Sequence, residues 1–111
     1  MIYHIASNSD WEDALKAGIY AADSLQTEGF IHCSTSEQVL AVANRFYQGH
    51  TDLVLLSIDE DQSKLPIRYE NLEGGTERFP HVYAAIPLPA IVRSVPFPPL
   101  DNGSFEFPSS A

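Results

Sequence analysis

Residues Leu53 to Asp59 read LVLLSID, an almost unbroken apolar run. A strand with one wet face alternates apolar and polar side chains. A run like this instead marks a central strand covered on both faces. The other elements have to be arranged around it.

Upstream, Ile2 to Ile5 forms a short apolar strand. The segment SNSDWEDALKAG then has Ser9 and Glu12 at capping-box spacing and Gly18 placed as a C-terminal stop, so it predicts a helix. Trp11, Ala14 and Leu15 share one face of that helix. Residues 19–28 carry no clear period and read as irregular, with Leu25 as one apolar anchor. Gly29 to Cys33 reads as a second strand.

From Ser34 to Gln48 the period is helical: Val39, Val42, Ala43 and Phe46 follow i, i+3, i+4, i+7, with Leu40 and Tyr47 widening the stripe. Ser34 with Glu37, and Thr35 with Gln38, both have capping-box spacing, which sets the helix start between Ser34 and Ser36. After the central strand, EDQSK reads as a solvated turn and LPIRYENL as a strand with Arg68 and Glu70 on one side. EGGTER is a loop, HVYAAI a further strand, and PLPAIVRSVPF a one-turn helix leading into a last strand. The tail, rich in Pro and Ser from about residue 101, is expected to fray. Two N-terminal helices among short strands, followed by a strand-rich half, predict an α+β fold with a split, mainly antiparallel sheet. Too few helices separate the later strands for a doubly wound parallel one.

At 111 residues the chain is read as a single domain, burying roughly two-thirds of its unfolded surface. Six Lys and Arg stand against fifteen Asp and Glu, a net charge of −9. Such a chain repels nucleic-acid backbones at long range, so general nucleic-acid binding is not expected. No run approaches a membrane span, and MIYHIASNSDWED has neither the basic start nor the apolar core of a secretion signal. A cytoplasmic location follows as the expectation, and the single Cys33 accords with a reducing compartment. No partner protein is inferred.

Three histidines share a local setting. His4 ends the first strand in IYHIAS, His32 ends the second in FIHCST, and His81 begins another in FPHVYA, each flanked by apolar residues. Any one of them, taken singly, is more often structural than catalytic; three at sheet ends make a stronger joint case. His50, in QGHTD, reads as a surface turn residue. A helix beginning after His32 would present free backbone N–H groups and a positive dipole end, a site for phosphate or carboxylate. Ser34 and Thr35 would then either cap the helix or bond a ligand. Cys33 alternates to the face opposite His32, which disfavours a Cys–His nucleophile pair and makes Cys33 a core residue. Arg68 and Glu70 point the same way, as an anion clamp beside a carboxylate that accepts hydroxyls or a proton. The glycines of GGTERFPH make that loop a plausible lid, with Thr76, Glu77 and Arg78 on it. No HxH, HxxxH or CxxC spacing supports a metal, and none is expected. The phosphate-loop and nucleophile-elbow signatures are absent too.

IYHIASNSDWEDALKAG, EGFIHCSTSEQVLAVANRFY, LVLLSID, IRYE and FPHVYAAIPLPAI together identify the chain as a member of the bacterial family called domain of unknown function 952. That match runs from residue 2 to about residue 95. More distantly, IYHIAS followed by a helix resembles the opening of the ADP-ribosyltransferase superfamily. FIHCSTSEQVLAVANRF is similar to that superfamily's second block, especially in tRNA 2′-phosphotransferases. The resemblance implies a split antiparallel sheet around an NAD cleft. It places His4 at the first-motif histidine that contacts an NAD ribose, and His32 and Ser34 on the nicotinamide or phosphate side. Glu70 falls at the third-motif carboxylate. Three positions depart from the pattern: Ile5 replaces a glycine, Ala6 replaces a hydroxyl residue, and His32 stands near where many members carry tyrosine.

The expectation is therefore an ADP-ribosyltransferase-like enzyme acting on NAD or a related small nucleotide or phosphorylated ligand. His4, His32 and Glu70 are its catalytic candidates. His4, His32, Ser34, Thr35, Arg68 and His81 are its cofactor-binding ones. The alternatives are a non-catalytic small-ligand-binding protein and a histidine-based metal-binding protein.

Overall fold

The computed structural model describes residues 1–111, the side chains of Gln62 and Ser63 excepted. In chain order the elements are β1 (Ile2–Ser7), α1 (Asn8–Ala17), β2 (Ile19–Tyr20), α2 (Asp23–Thr27), β3 (Ile31–His32) and α3 (Val39–Phe46). There follow β4 (Leu53–Ile58), α4 (Glu60–Ser63), β5 (Ile67–Glu70), β6 (Phe79–Val82), β7 (Ile86–Pro87), a 3-10 turn (Leu88–Ala90) and β8 (Ile91–Pro96).

β4 lies between β1 and β8, antiparallel to both, with every residue buried. Its side chains separate two cores. Val54, Leu56 and Ile58 join Ile2, Ala6, Tyr20, Ile31, Val82 and Ile86 on one face. Leu53 and Leu55 join Tyr3, Ile5, Val39, Ala43, Phe97 and Phe105 on the other. The apolar run is thus explained by burial on both sides.

A second antiparallel sheet has the order β3-β6-β5, and β2 pairs with β7 as a short ribbon. The two larger sheets meet where Tyr3 and Ser34 exchange backbone hydrogen bonds, Tyr3 N–H to Ser34 O at 2.7 Å and Ser34 N–H to Tyr3 O at 2.8 Å. The architecture is α+β with antiparallel sheets, as the sequence predicts.

Several local expectations need correction. Helix α1 is capped by Ser7, whose hydroxyl accepts from Asp10 N–H at 3.1 Å, and not by the Ser9–Glu12 box. The chain leaves β1 already turning, so the cap falls two residues earlier. Gly18 does close the helix, at φ 79°, the left-handed conformation that costs glycine least. Leu15 is 54% exposed while Ala14 is buried, so the inner face is narrower than the spacing suggested. The stretch expected to be irregular holds β2 and the five-residue α2, so three helices precede β4. The expected turn after β4 contains α4.

Helix α3 starts at Val39, not at Ser34 to Ser36. Ser34 is committed to the bridge with Tyr3, and the chain turns before the helical ladder begins. Gln38 Oε1 accepts from Thr35 N–H at 3.0 Å, which is the returning half of the Thr35–Gln38 capping box. The expected free N–H groups behind His32 are therefore partly spent within the protein.

The tail is anchored, where its composition suggested fraying. Phe105 is buried and its N–H donates to Asn44 Oδ1 at 2.7 Å, while Phe107 meets Tyr3 edge-on at 5.3 Å. Aromatic burial offsets the entropy cost of ordering the tail.

Candidate functional site

Strand register decides which side chains meet. His32 pairs with His81 across β3 and β6, and Arg68 pairs with His81 across β5 and β6. Directly paired residues share a sheet face, so His32, His81 and Arg68 form one row. Glu70, two residues beyond Arg68, joins that face. Ile31, Val82 and Ile67 point the other way, into the core of Ile2 and Tyr20. The alternation that buries the aliphatic residues is what presents the titratable ones.

Four aromatic rings and two carboxylates crowd that face. His81 is 7% exposed at its side chain, and its Nδ1 lies 3.0 Å from Glu70 Oε1, which fixes Nδ1–H as the donor. Tyr83 O–H donates to the same oxygen through a very short bond. Both bonds favour the charged carboxylate, so Glu70 is held below its ordinary carboxyl range, the tyrosine bond being the larger cause. The same bond pushes the Tyr83 hydroxyl above its ordinary value. Phe30 stacks on His81 with centroids 4.2 Å apart at 23°, and meets His32 edge-on at 4.8 Å. The two imidazoles are themselves 5.4 Å apart. Arg68 sits over the Tyr83 ring at 4.8 Å, a cation–π contact.

His32 is the exposed member. Its Nε2 lies 2.9 Å from Glu28 Oε2, and the two side chains are 53% and 50% exposed. An ion pair this wet adds little to stability.

His4 differs from both. Its ring is buried, with Nδ1 2.5 Å from the carbonyl oxygen of His32 and Nε2 2.8 Å from the Tyr20 hydroxyl. A carbonyl only accepts, so Nδ1 carries the proton and Nε2 accepts from Tyr20. Burial lowers its pKa to about 4, partly offset by the bond to His32, and the ring is neutral at pH 7. Burial also raises the Tyr20 hydroxyl.

His4 and His81 lie inside β1 and β6, and only His32 ends its strand as expected, yet all three line one cleft of about 1210 Å³, together with Glu28, Phe30 and Glu70. Ser34 lines it as well, while Thr35 and Arg68 are not among its lining residues. His50, read from the sequence as a surface turn residue, also borders it. Seven carboxylates stand around the cleft against one guanidinium, that of Arg45. Cys33 is buried in the core, as its alternation with His32 predicts, and burial raises its thiol out of the reactive range. Among the described residues, no group of three His, Cys, Asp or Glu side chains is arranged to hold a metal ion. Among the same residues, no helix is long and apolar enough to cross a membrane.

Sequence reasoning passed over Glu28, Tyr83, Phe30 and Tyr20. Two of them had a readable signal: Glu28 stands four residues before His32, and Tyr83 two residues after His81 on the same face. Tyr20 lay in a stretch with no period, and only the tertiary fold brings it to His4.

These layers and this cleft define an α+β protein of antiparallel sheets with paired imidazole–carboxylate contacts on one sheet face. The chain belongs to the family described as "protein of unknown function (DUF952)", whose profile it matches over residues 5–94. Among solved structures it is similar to the crystal structure of protein CC0527 from Caulobacter crescentus, with 28% identity and a TM-score of 0.85 over 95% of this chain and 92% of that one. It is likewise similar to the crystal structure of a double mutant of CC0527 (28% identity, TM-score 0.84, 95% and 92% covered). The solution NMR structure of CC0527 also resembles it (28% identity, TM-score 0.84, 95% and 90% covered). No curated protein gives a match.

Proposed function

We propose that the cleft binds NAD or a closely related nucleotide and transfers its glycosyl group, in the manner of the ADP-ribosyltransferases that the IYHIAS and FIHCST segments resemble. The observation that carries this reading is Glu70, a carboxylate at the cleft whose Oε1 takes bonds from both His81 and Tyr83. Breaking an N-glycosidic bond to a pyridinium develops positive charge on the ribose. A preorganised carboxylate placed beside that charge stabilises the transition state more than the ground state.

The chemistry of the lining agrees. Seven carboxylates suit a cationic base and an oxocarbenium-like sugar, and they oppose a polyanion. Any phosphates of such a ligand belong near Arg45, the one guanidinium on the lining. In this reading His4, locked between Tyr20 and the His32 carbonyl, shapes the ribose pocket. His32, His81 and Ser34 stand around it, and Thr35 lies behind the lining with its N–H bonded to Gln38. Arg68, stacked on Tyr83, supports the ionised Glu70 from behind.

The test is release of nicotinamide from NAD by purified protein, followed chromatographically, in wild type and Glu70→Gln. The amide keeps the shape and loses the charge, so turnover should fall by about 10²- to 10³-fold, as for removal of other preorganised transition-state contacts. Equal rates in the two proteins, or no release by the wild type, would overturn the reading.

A further inference from the structure

Resting on that reading, we infer that Glu28 and His32 form the proton-accepting pair of the same site, and that its glycosyl acceptor is a hydroxyl compound, with water the simplest. The two imidazole–carboxylate contacts on this face are not equivalent. His81 is nearly buried and its Nδ1–H is tied to Glu70, which suits a ring that holds a carboxylate in place. His32 and Glu28 are both half exposed at the cleft. A group that takes a proton in every cycle must return it to solvent, and of the two pairs only this one has open access.

The hydrogen bonding gives His32 its direction. An ionised Glu28 accepts at Nε2, so the proton sits on Nε2 and the lone pair on Nδ1, where it can receive a proton from an acceptor O–H. The carboxylate then stabilises the imidazolium that forms, the same relation that orients other catalytic histidines. Two further groups face the ring, His81 across the strand pair and Phe30 edge-on, while His4 Nδ1–H occupies the His32 backbone carbonyl. The His32 backbone is held by a neutral partner while its side chain is free to cycle.

The step balances without an added oxidant or reductant. The ribose C1′–N bond breaks and its electron pair stays on the nicotinamide nitrogen, turning the pyridinium into a neutral pyridine. The acceptor oxygen forms the new C1′–O bond. Its proton passes to His32 Nδ1 and then to bulk water. A hydroxyl oxygen keeps a lone pair for attack on C1′ while its proton leaves to the imidazole, whereas a guanidinium has no free nucleophilic pair until it has lost a proton, which favours a hydroxyl acceptor despite the acidic lining.

The experiment incubates NAD with the protein in water, in water with methanol, and with agmatine as a guanidinium probe, and separates the products. Expected are ADP-ribose and, with methanol, the methyl riboside of ADP-ribose, with no agmatine adduct. His32→Gln should lower nicotinamide release by about 10²-fold and remove the acid limb of its pH–rate profile. Glu28→Gln should lower release less. Both variants should unfold cooperatively in urea close to the wild-type midpoint, as expected for a half-exposed pair, which separates a lost base from a lost fold. Release that stays within about twofold of wild type with an unchanged pH profile in both variants, or a preference for agmatine, overturns this inference and leaves the Glu70 reading standing. A wild type that releases no nicotinamide overturns both.

Discussion

His4 donates through Nδ1 to the carbonyl oxygen of His32 at 2.5 Å, so the histidines of β1 and β3 are joined ring to backbone and not ring to ring. Their mutants should therefore behave differently. His4→Ala removes a buried ring and both its hydrogen bonds, leaving the Tyr20 hydroxyl without its partner. A loss of about 2–4 kcal/mol is expected, the range for cavity formation plus an orphaned polar group. His32→Ala removes an exposed ion pair and the ring's edge contacts with Phe30 and His81, and should cost less, about 1 kcal/mol. Urea unfolding of both variants checks the contrast; equal losses would mean that His4 is not the structural member.

Stability should also fall on acidification in a window that His4 sets. Its folded pKa is lowered to about 4 from an unfolded value of 6.5, so between these limits the unfolded chain binds more protons. The stabilisation from the neutral buried ring is complete above 6.5 and is lost progressively down to about 4. The whole shift corresponds to roughly 3 kcal/mol. Carboxylates such as Glu70 add their own acid dependence lower down, so the informative comparison is with His4→Gln. Between pH 7 and pH 4.5 the variant should lose clearly less stability than the wild type. Parallel curves for the two proteins would remove His4 as the cause.

Tyr83→Phe deletes the larger of the two hydrogen bonds that keep Glu70 ionised. Its carboxyl should titrate closer to the ordinary range, which side-chain carboxyl NMR can follow. Because the folded carboxylate is depressed, its contribution is present above the unfolded value and disappears as pH falls through the folded one. The destabilisation by Tyr83→Phe should accordingly be seen at neutral pH and fade in acid. Nicotinamide release should fall with it, since a less firmly held carboxylate stabilises developing positive charge less well.

The parts of this fold that were legible in the sequence are those set by local pattern. LVLLSID gives the two-sided central strand, and Gly18 gives the end of α1. The alternation of Cys33 and His32 gives opposite faces. What could not be read depends on contacts made elsewhere. Ser34 reads as a cap because its spacing to Glu37 is right, yet the bridge to Tyr3, 31 residues away, claims its backbone and moves the helix start to Val39. Phe105 and Phe107 sit in a Pro- and Ser-rich tail, and only the face of β4 that they cover explains their order. At the site, the spacing of Arg68 and Glu70 was visible, whereas the register that brings His81 beside them was not.

Gln38 offers the last test, because it ties the start of α3 to a loop of the cleft. Its Oε1 accepts from Thr35 N–H, and its Nε2 donates to the Arg78 carbonyl at 2.7 Å. The loop before Arg78 is itself organised by Asn71, whose side chain bonds Glu73 N–H, Gly75 N–H and the Glu77 carbonyl. Glu73, Gly75 and Glu77 line the cleft. Gln38→Ala removes the link between the two segments while leaving the Asn71 cluster intact. Two hydrogen bonds near the surface are worth about 1–2 kcal/mol together. Hydrogen exchange should accelerate at Thr35 and through residues 73–78, with the amides of β4 protected as before, since opening would be local. Acceleration spread evenly over β4 as well would show that Gln38 supports the fold as a whole and not the loop. If the loop is the lid of the cleft, the same variant should weaken ADP-ribose binding more than it lowers global stability.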